Sequence, residues 1–239
     1  MTSTAVVLSR EQRKRLAPGH DRYLDPVDTW NLTNLPGSGG LRSSANDMLT
    51  FMAANLGYID TPLKNAMAFQ RDTRYPGNPT RALAWGVARN GTSEIFGHDG
   101  GKEGYRSALV PDPAARAGVV VLTNSRSDDR PFDLAVHLLT GRALKPAPAA
   151  PVKPKLVKLS ARELDALAGR YRRATEPDLV VARHDRRLYV DFVGDGIVTF
   201  DPTTSRDFVS NVEDMQLTFE PDGVVIREAG KESRAMRIN

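Results

Sequence analysis

Residues 94–110 read Glu-Ile-Phe-Gly-His-Asp-Gly-Gly-Lys-Glu-Gly-Tyr-Arg-Ser-Ala-Leu-Val. Apolar, β-type residues begin and end this stretch, and glycines and charged residues fill its middle. Similar short β-type runs flank it at Ala84–Ala88 and Gly118–Thr123, separated from it by Asn-Gly and Pro-Asp-Pro turn sequences. This spacing predicts an antiparallel meander, with strands at Glu94–Gly97 and Tyr105–Val110 on either side of the glycines.

The run at 118–123 is continuously apolar, which predicts a central strand covered on both faces. Capping residues and apolar stripes predict three helices: one from Ser9 to near Gly19, one from Ser44 to Gly57, and one from Asp129 and Pro131 to Gly141. Residues 58–82 are predicted to be loop with a short helix at 62–69. Residues 1–144 are therefore predicted to be α+β, an antiparallel sheet flanked by helices.

A proline-rich stretch, 145–155, separates this part from the rest of the chain. It carries four prolines in eleven residues and is predicted to be an extended linker. Beyond it, Ser160 and Glu163 predict a short capped helix. Seven strands are then predicted, at 169–173, 178–183, 187–193, 197–201, 206–210, 214–220 and 223–229. Their close spacing predicts a small all-β, barrel-like domain over 156–239.

Composition excludes several classes of protein. The 239 residues contain no cysteine, which excludes disulfides, thiolate metal sites and cysteine nucleophiles. The apolar share of 40% is too high for a disordered chain, and no run reaches the roughly 18 apolar residues of a membrane helix. The net charge is +4, but the linker alone carries three lysines and no acid. The charge pattern therefore argues against a nucleic-acid-binding face.

His98 is the histidine with the strongest claim to chemistry. It precedes two glycines, which allow a ligand to approach the backbone closely, and imidazole exchanges a proton near neutral pH. On spacing alone, a glycine-rich hairpin without chemistry is the favoured explanation. None of the four histidines has the spacing of a metal site, so no metal and no cofactor are predicted.

Three stretches, in order, resemble the serine β-lactamase and penicillin-binding-protein family, in its class C β-lactamase, esterase and D-aminopeptidase branch. His98-Asp-Gly100, followed by Gly101, Gly104, Tyr105 and Ser107, resembles the branch's His-x-Gly form of the Lys-Thr-Gly motif. Residues 39–48 resemble its Gly-Gly-Leu-x-Ser-Thr-x-x-Asp-Met stretch, and 119–124 its penultimate strand. The opening Met1-Thr-Ser-Thr resembles the residues after its Pro-Leu-Gly, and the part after 156 resembles a lipocalin-like domain often appended to these enzymes.

The resemblance implies roles for five residues. His98 would take the lysine position of Lys-Thr-Gly and polarise the site. Gly101 would offer one of the two backbone amides of the oxyanion hole. Asp99, Gly100 and Tyr105 would bind substrate, and the negative charge of Asp99 disfavours an anionic β-lactam. The substrate would be a small molecule or peptide with a β-lactam, ester or D-amino-acid peptide bond.

The family's nucleophile and base are missing from this chain. No serine is followed by lysine at the third position, and no tyrosine by asparagine at the second. The chain is thus expected to be the C-terminal portion of such a hydrolase, inactive alone and partnered by an upstream half. The alternatives are a non-catalytic binding or regulatory module, or an unrelated structural β-protein. The family is usually exported, but the opening residues do not form a secretory signal.

Overall fold

The computed structural model describes residues 1–27, 37, 39–102, 104–126, 130–147, 149–193, 196–228 and 230–238. The described residues form two compact units, Met1–Ala150 and Pro151–Asn239, so the boundary lies within the proline-rich stretch. Among them, no helix has both the length and the apolar character that crossing a membrane requires. The predicted helix start at Asp129 lies outside the described residues.

The described residues of the first unit form four helices and eight strands. The helices are α1 (Arg10–Lys14), α2 (Ala45–Asn55), α3 (Lys64–Asp72) and α4 (Pro131–Thr140). The strands are β1 (Gly19–His20), β2 (Pro26–Val27), β3 (Arg74–Tyr75), β4 (Asn78–Ala82), β5 (Trp85–Asn90), β6 (Ser93–Lys102), β7 (Tyr105–Asp112) and β8 (Ala117–Thr123). Strands β3 to β8 make one antiparallel sheet in sequence order, and β1 pairs with β2.

Two helices cover opposite faces of this sheet. From α2, Met52 packs with Trp85, Phe96 and Leu109 in one apolar cluster. From α4, Ala135 and Val136 pack in a second cluster whose sheet members are Ile95, Ala108 and Val110. Adjacent residues of one strand thus enter different clusters, as the alternation of a β-strand requires.

The predicted helix termini are confirmed where capping is local. Ser9 and Gln12 form a reciprocal capping box, Ser44 accepts from the Asp47 amide, and Gly141 ends α4 in the left-handed conformation. The helix that Ser9 starts stops at Lys14, short of the predicted end near Gly19.

Two predictions about the sheet are wrong. Residues 58–82 contain β3 and β4 as well as the predicted helix, because charged and turn residues obscure the alternation of these exposed strands. The apolar strand at 118–123 is not central: β8 is the last strand in the order of the described sheet. It is apolar because both faces are covered, Val120 in the α2 cluster and Val119 and Val121 in the α4 cluster.

The second unit is a closed eight-stranded barrel. After α5 (Ala161–Leu167), its strands are β9 (Gly169–Arg173), β10 (Leu179–His184), β11 (Arg187–Phe192), β12 (Gly196–Pro202), β13 (Asp207–Val209), β14 (Met215–Glu220), β15 (Gly223–Glu228) and β16 (Lys231–Ile238). All eight strands contribute side chains to one buried apolar cluster, which Leu164 of α5 joins. The eighth strand, β16, was not predicted, and it closes the barrel by pairing with β9 and β15. The resemblance of this barrel domain to a lipocalin stays a prediction.

Asp47 anchors residues 3 and 4 to the start of α2. Its Oδ2 atom accepts hydrogen bonds from the Ser3 amide at 2.8 Å and the Thr4 hydroxyl at 2.7 Å. The Thr4 hydroxyl, and after it the Ser3 amide, lower the pKa of the Asp47 carboxyl, against the opposing effect of burial. Ala5 and Arg42 exchange backbone hydrogen bonds beside them, so the first residues are held as part of the unit.

Asp47→Asn should flatten the acid dependence of the stability of the first unit. Because the folded pKa is lowered, the carboxylate stabilises the fold above its ordinary pKa, and this contribution is lost as pH falls through the lowered pKa. We expect the urea midpoint of the wild type to fall more between pH 5 and pH 2 than that of the variant. Tryptophan fluorescence would follow the transition, since Trp85 is buried in this unit. Asp60→Asn, at an exposed aspartate, is the control; a variant that keeps the wild-type slope would contradict the assignment.

Candidate functional site

The glycine-rich motif is one continuous β-hairpin. The prediction that a strand ends at Gly97 is wrong, because β6 runs on through His98 to Lys102. The pairing of β6 with β7 begins at His98, opposite Leu109, and ends at Lys102, opposite Tyr105. Gly100 and Gly101 would be expected in a loop, but here both residues are paired with residues of β7. The motif is therefore part of a strand.

Strand β6 changes its partner at His98. Its ladder with β5 ends at the pair Gly86 and Gly97, and its ladder with β7 begins one residue later. Within the described part of the chain, residues 98–102 therefore have no strand on the edge that faces away from β7. Backbone N–H and C=O groups along such an edge are available to a ligand, and glycine allows the ligand to come close.

The side chains of His98 and Asp99 lie on opposite faces of the sheet. A Cβ atom at Gly97 would lie 2.5 Å from the Phe132 ring of α4, whereas Phe96 packs with Met52 of α2. Alternation along the strand then places His98 on the α2 face and Asp99 on the α4 face. Both are exposed to solvent. The structure therefore does not bring the side chains of these two predicted site residues together.

Gly100 and Gly101 are both covered by side chains from β7. A Cβ atom at Gly100 would lie 3.1 Å from the Ser107 Oγ atom, and one at Gly101 would lie 2.7 Å from the Arg106 Cζ atom. The Ser107 hydroxyl thus shares the face of His98, and the Arg106 guanidinium lies over Gly101 on the other face. Sequence reasoning assigned no role to Arg106 or Ser107, although the register of the hairpin would have pointed to both.

Tyr105 supports the tip of the hairpin. Its hydroxyl donates a 2.6 Å hydrogen bond to the Ala17 carbonyl, and its ring closely approaches Gly19. The side chain predicted to bind substrate is thus in contact with the segment before β1. In this structure it positions the hairpin, and its substrate role stays a prediction.

Residues 18–20 are tied to both β7 and β8. The His20 amide donates to the Asn124 carbonyl at 2.9 Å, and the Asn124 side-chain amide donates to the Pro18 carbonyl at 2.8 Å. A Cβ atom at Gly104 would lie 2.6 Å from the Gly19 Cα atom, so the two backbones are in direct contact. This clamp fixes the hairpin tip, and with it the strand that carries His98.

The other three histidines have structural contacts. His20 Nδ1 lies 3.0 Å from the Asn124 carbonyl, and His137 Nδ1 lies 2.7 Å from the Arg142 carbonyl. The His184 ring stacks on Tyr189 with centroids 4.4 Å apart. Within the described residues, no three histidine, aspartate or glutamate side chains are grouped as metal ligands would be.

Comparison with known proteins agrees with this fold. The family model described as Beta-lactamase matches residues 1–142. A class C β-lactamase structure from Rhodobacter sphaeroides is 22% identical, with a TM-score of 0.50 over 57% of this chain and 50% of that one. A β-lactamase/D-alanine carboxypeptidase structure from Pseudomonas syringae is 19% identical, with a TM-score of 0.51 over 60% of this chain and 49% of that one.

A further structure, titled a class C β-lactamase, is 16% identical, with a TM-score of 0.52 over 60% of this chain and 48% of that one. At these identities the likeness is one of fold. The chain spans about half the length of the solved structures that it matches. No curated protein sequence matches significantly. The match of the family model covers more than half of the chain, in the unit that holds the His98 hairpin, and the chain therefore belongs to the Beta-lactamase family.

Proposed function

We propose that residues 1–144 supply the substrate-binding strand of a serine hydrolase that works through an acyl-enzyme. The nucleophile and its base would come from polypeptide outside these 239 residues. The substrate class would be that of the branch that the motif resembles: β-lactams, esters or peptides with D-amino acids. The observation that carries the proposal is the open edge of β6 at residues 98–102, beside His98.

The chemistry of an acyl-transfer site explains this edge. When a hydroxyl attacks a carbonyl, the carbonyl oxygen becomes an anion that backbone amides can hold. Gly101 would offer one such amide, since residue 101 lies on the edge of β6 that has no strand partner among the described residues. His98 would donate a hydrogen bond to the substrate. The Asp99 carboxylate lies on the other face of the sheet, so it would act on the substrate only through its field.

The missing groups define what the chain cannot do alone. Neither Ser-x-x-Lys nor Tyr-x-Asn occurs in the 239 residues. Without a nucleophile no acyl-enzyme forms, and an amide that holds an oxyanion accelerates nothing until a nucleophile attacks. The chain is accordingly proposed to be inactive by itself.

The second candidate is a non-catalytic binding or regulatory module. It is favoured by the absence of the two motifs combined with an intact, clamped hairpin. Such a module would keep the strand edge as a binding surface and never form a covalent intermediate. The mass of the protein in its source separates the two candidates, because only the first requires a longer polypeptide or a second one.

An acylation experiment tests the proposal. The 239-residue chain and the protein purified from its source would each be treated with a fluorophosphonate and with a penicillin, and their intact masses measured. We expect the chain to stay at 26.2 kDa without an adduct, because it lacks the nucleophile. The source protein should either be heavier or copurify with a second polypeptide, and the polypeptide that bears the nucleophile should carry one adduct.

His98→Ala in the heavier protein should slow its acylation by about 10²-fold, the usual cost of removing one hydrogen-bond donor from such a site. Ile197→Ala, on the barrel, should leave the rate unchanged. A stoichiometric adduct on the 239-residue chain itself would overturn the proposal. A source protein of 26.2 kDa that binds the penicillin without reacting would favour the binding module.

A further inference from the structure

The turn between β5 and β6 carries a chemically reactive pair of residues, Asn90 and Gly91. Asn90 pairs with Ser93 across the ladder, so the loop consists of Gly91 and Thr92. Gly91 has a φ of +61°, which suits the first loop position of a tight hairpin. Both loop residues are exposed to solvent. Of all the asparagines in the sequence, Asn90 is the one that precedes a glycine.

An asparagine before glycine can lose its side-chain amide without an enzyme. The Gly91 backbone nitrogen attacks the Asn90 Cγ atom; a C–N bond forms there and the Cγ–Nδ2 bond breaks. The proton of the attacking nitrogen leaves with the amide group as ammonia, and a cyclic succinimide remains. Water then opens the succinimide at one carbonyl or the other, which gives aspartate or isoaspartate. Glycine favours the attack because no Cβ atom shields its nitrogen.

The side chain of Asn90 is bonded to a buried carboxylate. Its Nδ2 atom donates to the Asp112 Oδ2 atom at 3.2 Å, and the Asp112 Oδ1 atom accepts from the Ala115 amide at 2.9 Å. Asp112 is only 2% exposed, at the end of β7. An aspartate at position 90 would therefore replace the donor with a second carboxylate beside the first. Two like charges this close, one of them buried, disfavour the folded state.

We infer that Asn90 and Gly91 form a site of spontaneous deamidation, and that the modification destabilises the first unit at the hairpin of β5 and β6. The isoaspartate product would also lengthen the main chain by one carbon within a loop of two residues. Because β6 continues from this turn to His98, the change acts on the strand that carries the candidate site. The inference uses no step of the proposed acyl transfer and is independent of it.

Ageing of the full chain in a mildly alkaline buffer, followed by digestion with trypsin, tests the chemistry. Trypsin releases residues 90–102 as one peptide and 75–81 as another. Deamidation raises the mass of the first peptide, whereas isomerisation of Asp99, which also precedes a glycine, does not. The second peptide holds Asn78 and is the control, because the proline that follows has no N–H to attack.

We expect peptide 90–102 to gain mass with the time of ageing, relative to an unaged sample digested in parallel, and peptide 75–81 to keep its mass. A peptide 90–102 that changes no more than the control peptide would overturn the inference.

An exchange of the two side chains tests the consequence for stability. Asn90→Asp reproduces one product, and we expect the equilibrium constant for unfolding, followed by tryptophan fluorescence in urea, to rise at least about tenfold through loss of the bond to Asp112. In the double variant, Asn90→Asp with Asp112→Asn, donor and acceptor trade places, so stability should return toward the wild-type value. Asn78→Asp makes the same charge change at an exposed position and should have no such effect.

An Asn90→Asp chain as stable as the Asn78→Asp chain would overturn the inference. So would a double variant no more stable than Asn90→Asp alone, because the loss would then not arise from the pair of carboxylates.

Discussion

Gly104→Ala is expected to destabilise the first unit by about 3 kcal/mol or more, among the largest effects of a single methyl group in this chain. The added Cβ atom would lie 2.6 Å from the Gly19 Cα atom, well inside van der Waals contact. Both partners are backbone, so no side chain can rotate away to relieve the clash. Either the hairpin tip or residues 18–20 must move, and the hydrogen bonds that Asn124 makes to these residues would be lost with the contact.

Urea unfolding followed by tryptophan fluorescence would measure this effect. The two tryptophans, at positions 30 and 85, both precede the boundary at residue 150, and the barrel has none, so the signal does not report on the barrel. Gly86→Ala is the matched control, because its Cβ atom would make only an ordinary 3.5 Å contact. We expect that control to change stability by less than about 1 kcal/mol. An unfolding midpoint for Gly104→Ala equal to that of the control would show that the clamp is not tight.

Phe208→Ala is expected to destabilise the barrel by about 3–5 kcal/mol. The Phe208 side chain is fully buried, and its ring packs edge-to-face on Phe219 with centroids 5.5 Å apart. The barrel is a small domain, in which each core side chain carries a large share of the stability. Truncation would leave a cavity that a closed ladder of eight strands cannot collapse to fill.

The barrel contains no tryptophan, so fluorescence cannot follow its unfolding. Circular dichroism during heating would be used instead to measure this change. Ile197→Ala, at a half-exposed position on β12, should cost less than about 1 kcal/mol and serves as the control. The fluorescence transition of the first unit should stay at its wild-type midpoint in both variants. A loss below 1 kcal/mol for Phe208→Ala would contradict the packing described for the barrel.

Sequence patterns predicted the local features of this protein well. The capping boxes at Ser9 and Ser160, the start of α2 at Ser44 and the end of α4 at Gly141 all depend on hydrogen bonds or backbone angles within four residues. Such interactions are present in the sequence itself, so spacing reveals them.

Sequence patterns failed at β16 and β8 for opposite reasons: β16 was not predicted as a strand, and β8 was predicted as a strand but in the wrong place in the sheet. β16 buries only Ala235, so the sequence from 231 to 238 shows no alternation; the strand exists because β9 and β15 offer it two edges. β8 shows a strong apolar run, which was interpreted as central. The run reflects helices on both faces and says nothing about how many strands lie beside it.

The amino-acid sequence by itself determined the family motif around His98, the glycines that open its backbone, and the absence of the nucleophile motif. These are properties of residue order, which folding does not alter. Only the tertiary structure decided that Asp99 lies on the face opposite His98. The same holds for the pairing of β6, which is with β5 up to Gly97 and with β7 from His98 onward. The tertiary structure also decided that Tyr105 bonds to Ala17, 88 residues away. Faces, edges and clamps arise from pairing between distant segments, and that pairing is set by the burial of the whole sheet rather than by neighbouring residues.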